Sequence, residues 1–147
     1  MPHLVILYTP NLDQPAPEGV DMASLCRALA DTMLAVRDEQ GKQVFPTGGT
    51  RVLAYPAAHS AVSDGGAAGI AAGLGADYAF VYMNLRMAQG RSALVHQRVG
   101  EALNACVKER FAVQLAKRPI GITVQVDEGH EVFDAKNSSL HPLFQNK

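Results

Sequence analysis

Residues 77–128 read DYAFVYMNLRMAQGRSALVHQRVGEALNACVKERFAVQLAKRPIGITVQVDE, and this stretch decides the fold. Its two ends, at about 77–87 and 120–128, are rich in apolar and β-branched residues, which predicts two strands. Between them, apolar residues recur at steps of three and four over about 92–117, which predicts a helix that ends before Pro119. The stretch is therefore a β-α-β unit.

The same order of elements is predicted in the first part of the chain. Residues 2–9 form an apolar run that ends at Pro10 and is typical of a strand. Apolar residues at helical spacing over about 20–40 predict a helix, and residues 51–55 predict a second strand. Because a right-handed crossover makes the strands of each half parallel, we expect an α+β fold in which two β-α-β halves form a four-stranded sheet with two helices on one face.

A single domain over residues 1–147 is expected, because 48% hydrophobic residues supply enough material for one core. Its halves span about 2–55 and 77–128, joined by the Ala/Gly-rich connector 56–76 and followed by the C-terminal tail 129–147. The connector lacks the Gly-Lys-Ser/Thr ending of a P-loop and the spacing of a dinucleotide site, and it precedes a strand. We interpret it as a flexible connection.

The first strand carries apolar side chains on both of its faces. Leu4 and Ile6 point to one side, and Val5 and Leu7 to the other. Strands of this kind are usually buried on both faces, and the predicted helices cover one face only. Copies of the same chain are the simplest cover for the second face, so we expect an obligate homo-oligomer.

Composition excludes several classes of function. With 13 Lys plus Arg against 14 Asp plus Glu, the chain lacks the excess of positive charge that nucleic acids or anionic membranes attract. Cys26 and Cys106 have no Cys-x-x-Cys spacing and are expected to be buried free thiols, and the five histidines show no metal-ligand spacing. No signal peptide or membrane-spanning stretch is recognised, which predicts a cytoplasmic location. A small molecule or a protein is the expected partner.

Pro2 is a candidate general base. The initiator methionine is normally removed before a small residue, which would leave the ring nitrogen of Pro2 as a free secondary amine at the start of a strand. A guanidinium about 6 Å away would oppose protonation of this amine by roughly 3 kcal/mol at an effective dielectric constant of about 20. The alternative is a Met-Pro start without catalytic meaning, and Pro2 alone does not decide between the two.

Two arginines are candidates for binding an anion. In Gly90-Arg91-Ser92 a turn glycine leads into the predicted helix, where free N–H groups and a guanidinium together could bind a carboxylate. Arg51 opens a strand after the glycine turn at 48–49. Each could instead be an ordinary solvated charge. Tyr82 and Arg86 share one face of a predicted strand, which could line a site or form a subunit interface.

Six short motifs together resemble one enzyme family. They are Met1-Pro2-His3 opening a strand, Phe45-Pro46 before the strand of Arg51, Asp77-Tyr78-Ala79-Phe80-Val81, Gly90-Arg91-Ser92, Lys136-Asn137, and His141-Pro142-Leu143-Phe144. With the two β-α-β halves, this combination resembles the 5-carboxymethyl-2-hydroxymuconate isomerase family of the tautomerase superfamily. The resemblance covers almost the whole chain.

The resemblance implies a trimeric tautomerase-like enzyme of aromatic catabolism, in the breakdown of homoprotocatechuate. By position, Pro2 would be the catalytic base, and Arg51 and Arg91 would bind the carboxylates of an unsaturated polycarboxylate. No metal, organic cofactor, nucleic acid or membrane partner is implied. The connector 56–76 looks longer than is usual in the family, so decarboxylation, hydration or dehalogenation of a related acid stays open. A catalytically silent oligomeric binding protein is the alternative from another class, and retention of Met1 would favour it.

Overall fold

A four-stranded mixed sheet organises the chain in the computed structural model, which describes residues 2–145. Its strands are β1 (His3–Tyr8), β2 (Arg51–Pro56), β3 (Ala79–Ala88) and β4 (Ile120–Gly129), in the spatial order β2-β1-β3-β4. Strands β1 and β2 are parallel, β3 and β4 are parallel, and β1 and β3 are antiparallel neighbours that join the halves. The α+β fold with two β-α-β halves is therefore confirmed.

Two long helices lie on one face of this sheet. The long helices are α1 (Met22–Ala35) and α3 (Ala93–Arg110). Two short helices are α2 (Ala67–Ala71), in the connector, and α4 (Ala112–Lys117), which follows α3. Helix α1 presents one buried stripe, Leu25, Leu29 and Met33, and α3 presents another, Val95, Val99, Leu103 and Val107. These stripes pack against the alternate side chains of the strands that point toward the helices. They include Leu4, Ile6, Val81, Met83 and Leu85, each at most 1% exposed. The single hydrophobic core lies between the helices and this face.

Side-chain caps set the starts of both long helices. The Asp21 carboxylate accepts a hydrogen bond from the Ser24 N–H at 3.1 Å, and the Ser92 hydroxyl accepts one from the Val95 N–H at 3.2 Å. Each cap satisfies an N–H group that has no partner within the helix. The cap at Ser92 also fixes the turn that carries Arg91.

The helix ends differ from those predicted. Helix α1 ends at Ala35 instead of near residue 40, because the chain reverses into a bridge between Arg37 and Gln43. The predicted helix over 92–117 is two helices, α3 and α4, separated at Phe111. Phe111 is fully buried, and its backbone, at φ −103° and ψ 12°, departs from helical geometry.

The connector 56–76 contains a helix and packs against the start of β3, which its interpretation as a flexible connection did not anticipate. It contains α2, and the Gly69 N–H donates a hydrogen bond to the Tyr78 hydroxyl at 2.7 Å. A side chain at Gly69 would place its Cβ 2.2 Å from the Gly75 carbonyl oxygen. The alanine and glycine content of this segment therefore permits close packing of backbone on backbone.

Within residues 2–145, no helix combines the length and the apolar composition that crossing a bilayer requires. The cysteines Cys26 and Cys106 are free, as expected, but they are only half-buried.

Candidate active site

Pro2 is buried at the start of β1 and lines a cavity of about 260 Å³. Arg91 and Ala88, from the turn between β3 and α3, line the same cavity, together with Pro46 from the loop before β2. The two β-α-β halves meet at this cavity, because Pro2 belongs to the first half and Arg91 to the second. The structure thus brings together two of the three residues predicted from the sequence.

Arg91 is held in position by partners on both sides. Its guanidinium donates to the Ala88 carbonyl at 3.0 Å and to the Val44 carbonyl at 3.1 Å, and it lies 5.7 Å from the centre of the Phe45 ring. A cation over an aromatic face is stabilised by the ring quadrupole. Since a guanidinium has five N–H donors, two bonds to carbonyls leave others for an anion. Gly90, at φ +95°, provides the left-handed turn that this placement needs.

Arg51 lies on β2, outside the wall that Pro2 and Arg91 share. Its Nη1 donates to the carbonyls of Gly48 and Thr50, both at 2.9 Å. Its Cα is paired in register with His3, the residue after Pro2. Arg51 contributes a positive electrostatic potential at His3. The pKa of His3 is lowered first by burial and then by nearby positive charges, Arg51 among them. A positive potential of this kind also disfavours protonation of an amine at Pro2.

Four further residues that line the cavity come from the C-terminal tail. They are Glu131, Asp134, Lys136 and His141, and Lys136 forms an ion pair with Asp134. The tail is seated near Gly48, where a Cβ would lie 3.1 Å from the Phe144 ring and 3.2 Å from the His141 Cα. Sequence reasoning missed these four residues as site residues. Lys136 and His141 stood in motifs that carried the family resemblance, which was the available signal.

The face of β3 that carries Tyr82 and Arg86 is tied to β4 by polar contacts. The Tyr82 hydroxyl donates to the Gln125 side-chain oxygen at 2.7 Å, and the Asn84 amide donates to the Asp127 carboxylate at 2.6 Å. The Arg86 Nε lies 2.4 Å from where a Cβ at Gly129 would be, so this guanidinium crosses the end of β4. These contacts belong to the sheet face turned away from the helices.

In the described part of the chain, no group of three His, Cys, Asp or Glu side chains has the arrangement of a metal site. The cavity instead offers a buried ring, a preoriented guanidinium and further ionisable groups. Such a set can bind a small anion and, if the ring nitrogen is a free amine, move a proton within it.

Comparison with known proteins agrees with this geometry. The family model described as 5-carboxymethyl-2-hydroxymuconate isomerase matches residues 2–144. A 5-carboxymethyl-2-hydroxymuconate Delta-isomerase from Escherichia coli is 26% identical over 145 residues, which cover 99% of this chain and 100% of the relative.

Two solved structures share the fold over nearly their whole length. A crystal structure of a 5-carboxymethyl-2-hydroxymuconate delta-isomerase superposes with a TM-score of 0.94 at 55% identity, over 100% of this chain and 95% of the other. A 5-carboxymethyl-2-hydroxymuconate isomerase from Deinococcus radiodurans R1 superposes with a TM-score of 0.78 at 29% identity, over 99% and 95%. They confirm the expected tautomerase-like fold and the enzyme class, isomerase. Since the family model spans both halves and the tail, the chain belongs to the 5-carboxymethyl-2-hydroxymuconate isomerase family.

Proposed function

We propose that this protein ketonises a 2-hydroxymuconate-type unsaturated polycarboxylate, with Pro2 as the general base. The observation that carries the proposal is the shared cavity of Pro2 and Arg91, in which a buried ring lies beside a guanidinium held by two carbonyls. Relatives named for 5-carboxymethyl-2-hydroxymuconate support this substrate class.

The proposed reaction moves one proton and needs no oxidant or reductant. The free amine of Pro2 takes the proton of the 2-hydroxyl group, and the electron pair of that O–H bond forms the carbonyl. The double bonds shift along the chain, and the protonated amine returns the same proton to a distant carbon. Arg91 and Arg51 bind the carboxylates, and one of them stabilises the negative charge that develops on the dienolate oxygen. The electron sink is the conjugated carbonyl of the substrate itself.

This chemistry requires that Met1 be removed, because an acylated proline nitrogen is an amide without a basic lone pair. Met1 lies outside the described residues, so the requirement is tested by the intact mass of the purified protein. We expect a mass lower than that of the full chain by one methionine residue. A protein that keeps Met1 and still ketonises the substrate would contradict the role of Pro2.

We also propose that the protein works as a homo-oligomer, and specifically as a trimer, as the family resemblance implies. Four large apolar side chains on the sheet face away from the helices are more than a third exposed: Leu7, Leu53, Tyr55 and Phe80. Large apolar side chains that are grouped on one exposed face usually mark an interaction surface. The proposal includes a cytoplasmic location, which the two free thiols support.

The test is ketonisation of 5-carboxymethyl-2-hydroxymuconate, followed by ultraviolet absorbance. We expect Pro2→Ala to lower kcat by a factor on the order of 10² to 10⁴, the usual contribution of a general base. We expect Arg91→Ala to raise KM by about tenfold to a hundredfold, since a charged hydrogen bond is worth about 1.5–3 kcal/mol.

Arg27→Ala is the matched control, since Arg27 is exposed on α1 and pairs only with Asp31 among the described residues. This variant should keep the wild-type kcat and KM. If Pro2→Ala kept the wild-type rate, the proposed mechanism would be wrong. If the wild-type protein with a free Pro2 were inactive on this substrate, the substrate class would be wrong.

A further inference from the structure

A tight hairpin lies between α1 and β2, and we refer to residues 36–44 as the hairpin. Its two ends are joined by a hydrogen bond from the Val44 N–H to the Val36 carbonyl at 3.1 Å. At its turn, the Asp38 N–H donates to the Lys42 carbonyl at 2.9 Å, and the Asp38 carboxylate accepts from the Lys42 N–H at 2.8 Å. A carboxylate that bonds the backbone of its own turn stabilises that turn. Because hydrogen bonds close the hairpin at its ends and at its turn, we expect it to move as one unit.

The base of the hairpin contacts Arg91 directly. The Val44 carbonyl accepts a hydrogen bond from the Arg91 guanidinium at 3.1 Å, and the guanidinium lies 5.7 Å from the centre of the ring of Phe45, the next residue. Both partners are buried, with Val44 9% and Phe45 0% exposed. The position of the Arg91 guanidinium therefore depends on the position of the hairpin.

The turn of the hairpin makes a second contact, at the start of α3. The Ser92 hydroxyl donates a hydrogen bond to the Glu39 carboxylate and accepts one from the Val95 N–H at 3.2 Å. The bond from Ser92 is the main cause that lowers the pKa of the Glu39 carboxyl, so this group is a carboxylate at neutral pH. A hydroxyl that donates to a carboxylate becomes a better acceptor for its own N–H donor. Glu39 thus ties the hairpin to the cap of α3, directly after Arg91.

A third contact lies on the side of the hairpin. The Arg98 guanidinium, on α3, donates to the Arg37 carbonyl at 3.2 Å. The hairpin is therefore fastened to the first turns of α3 at its base, at its turn and along its side. Glu39 itself is exposed and does not line the cavity. Its bond to Ser92 is therefore the contact through which Glu39 can affect the cavity.

We propose that Glu39 is a positioning residue for Arg91, which it holds in place by fastening the turn of the hairpin to Ser92. The inference rests on the proposed function, in which Arg91 binds a carboxylate of the substrate. A guanidinium that is already ordered loses less conformational freedom when it binds a carboxylate. Without the bond to Glu39 the hairpin can tilt, and the Val44 carbonyl and the Phe45 ring move with it. The substrate itself must then order the guanidinium, which weakens binding.

The closing experiment compares Glu39→Ala, Glu39→Gln and the control Glu101→Ala in the full chain. Glu101 is an exposed carboxylate on α3 that accepts a hydrogen bond from Gln97. In ketonisation assays we expect Glu39→Ala to raise KM by about threefold to tenfold and to change kcat by less than about twofold, because it loses one hydrogen bond that acts on binding. Glu39→Gln should keep KM within about twofold of the wild type, since its amide oxygen can accept the same bond from Ser92. Glu101→Ala should match the wild type.

A double-variant cycle tests whether Glu39 acts through Arg91. In the Arg91→Ala background, Glu39→Ala should change KM by less than about twofold, because the group that it positions is gone. An effect of the same size in both backgrounds would overturn the inference, and so would an unchanged KM in Glu39→Ala. An equal rise of KM in Glu39→Gln would overturn it as well, since charge and not the bond to Ser92 would then carry the effect.

NMR of the protein without ligand separates this inference from the proposed function. Rotation of the Arg91 guanidinium about its Nε–Cζ bond should be slow in the wild type, because both of its Nη groups donate to carbonyls. We expect this rotation to be at least about threefold faster in Glu39→Ala and unchanged in Glu39→Gln. If this difference is found in a protein that does not ketonise the substrate, the proposed function alone is wrong. If the protein ketonises but neither KM nor the rotation responds to Glu39→Ala, the inference alone is wrong.

Discussion

The chemistry of Arg91 depends on residues far from it in the chain. Gly90 and Ser92 are its neighbours, and their turn and cap chemistry makes Arg91 a candidate on local sequence alone. Its partners Val44 and Phe45 come from the loop before β2, and no local pattern connects them with Arg91. Local sequence therefore identifies the cation, whereas the contacts that orient its guanidinium arise only from tertiary packing.

Tyr8 gives a prediction at the scale of one hydroxyl group. Its ring is 5% exposed, and its hydroxyl donates to the Asp13 carboxylate at 2.8 Å. Burial first, and then this hydrogen bond, raise the pKa of Tyr8 to about 12. In the unfolded chain a tyrosine loses its proton near pH 10. Because the folded protein keeps a proton that the unfolded chain has lost, the free energy of unfolding should fall as the pH rises from about 10 to about 12.

Tyr8→Phe removes this titration. We expect the variant to be about 1 kcal/mol less stable at pH 7, since it lacks one hydrogen bond and leaves Asp13 without its donor. Its free energy of unfolding should fall less steeply than that of the wild type above pH 10. Urea unfolding at a series of pH values and one protein concentration measures both effects. Parallel alkaline curves for the two proteins would contradict the raised pKa.

At the scale of elements, apolar spacing predicted all four strands and both long helices, because periodicity reports which face is buried. It did not predict the break at Phe111, where α4 turns so that the Gln114 amide can donate to the Gly19 carbonyl at 2.8 Å. The helix α2 within the connector was missed for a related reason. A high content of alanine and glycine suggests a flexible segment. In this segment the small residues instead allow α2 to approach Gly75 and Tyr78 closely. Contacts between distant segments decide these features, and periodicity does not record such contacts.

Two glycine substitutions test the packing of elements in opposite directions. Gly69→Ala would place its Cβ 2.2 Å from the Gly75 oxygen and 2.7 Å from the Tyr78 Cε1. We expect it to destabilise the protein by at least about 1 kcal/mol and to speed cleavage of the connector in limited proteolysis. At Gly100, in the interior of α3, an added Cβ would have no atom within 4 Å beyond its chain neighbours and the backbone of its own helix. Gly100→Ala should therefore stabilise the protein by about 0.5–1 kcal/mol.

Both variants are compared with the wild type by urea unfolding. The opposite signs are the informative result, since each substitution adds the same methyl group. Rapid cleavage of the connector in the wild type, equal to that in Gly69→Ala, would mean that the connector is flexible in solution.

At the scale of the whole molecule, the sheet face away from the helices is divided into two regions. Toward β2, the pairing of β1 with β2 places Leu53 beside Val5 and Tyr55 beside Leu7. Toward β4, polar pairs such as Asn84 with Asp127 cover the face. The sequence of β1 predicted this uncovered apolar face, because Val5 and Leu7 alternate with residues whose side chains lie in the core. How the copies are arranged on this face depends on a surface that spans three strands, and a single strand pattern does not contain that information.

Two aspartate substitutions of equally exposed leucines test whether copies of the chain cover this face. Leu53 on β2 is 45% exposed and lies on the uncovered face, whereas Leu94 on α3 is 43% exposed on the helical layer. In light scattering we expect three times the mass of one chain for the wild type and for Leu94→Asp. We expect Leu53→Asp to be monomeric and inactive, because burying an unpaired carboxylate at an apolar interface is strongly unfavourable. A monomeric wild type would refute the oligomer, and a trimer that survives Leu53→Asp would place the interface elsewhere.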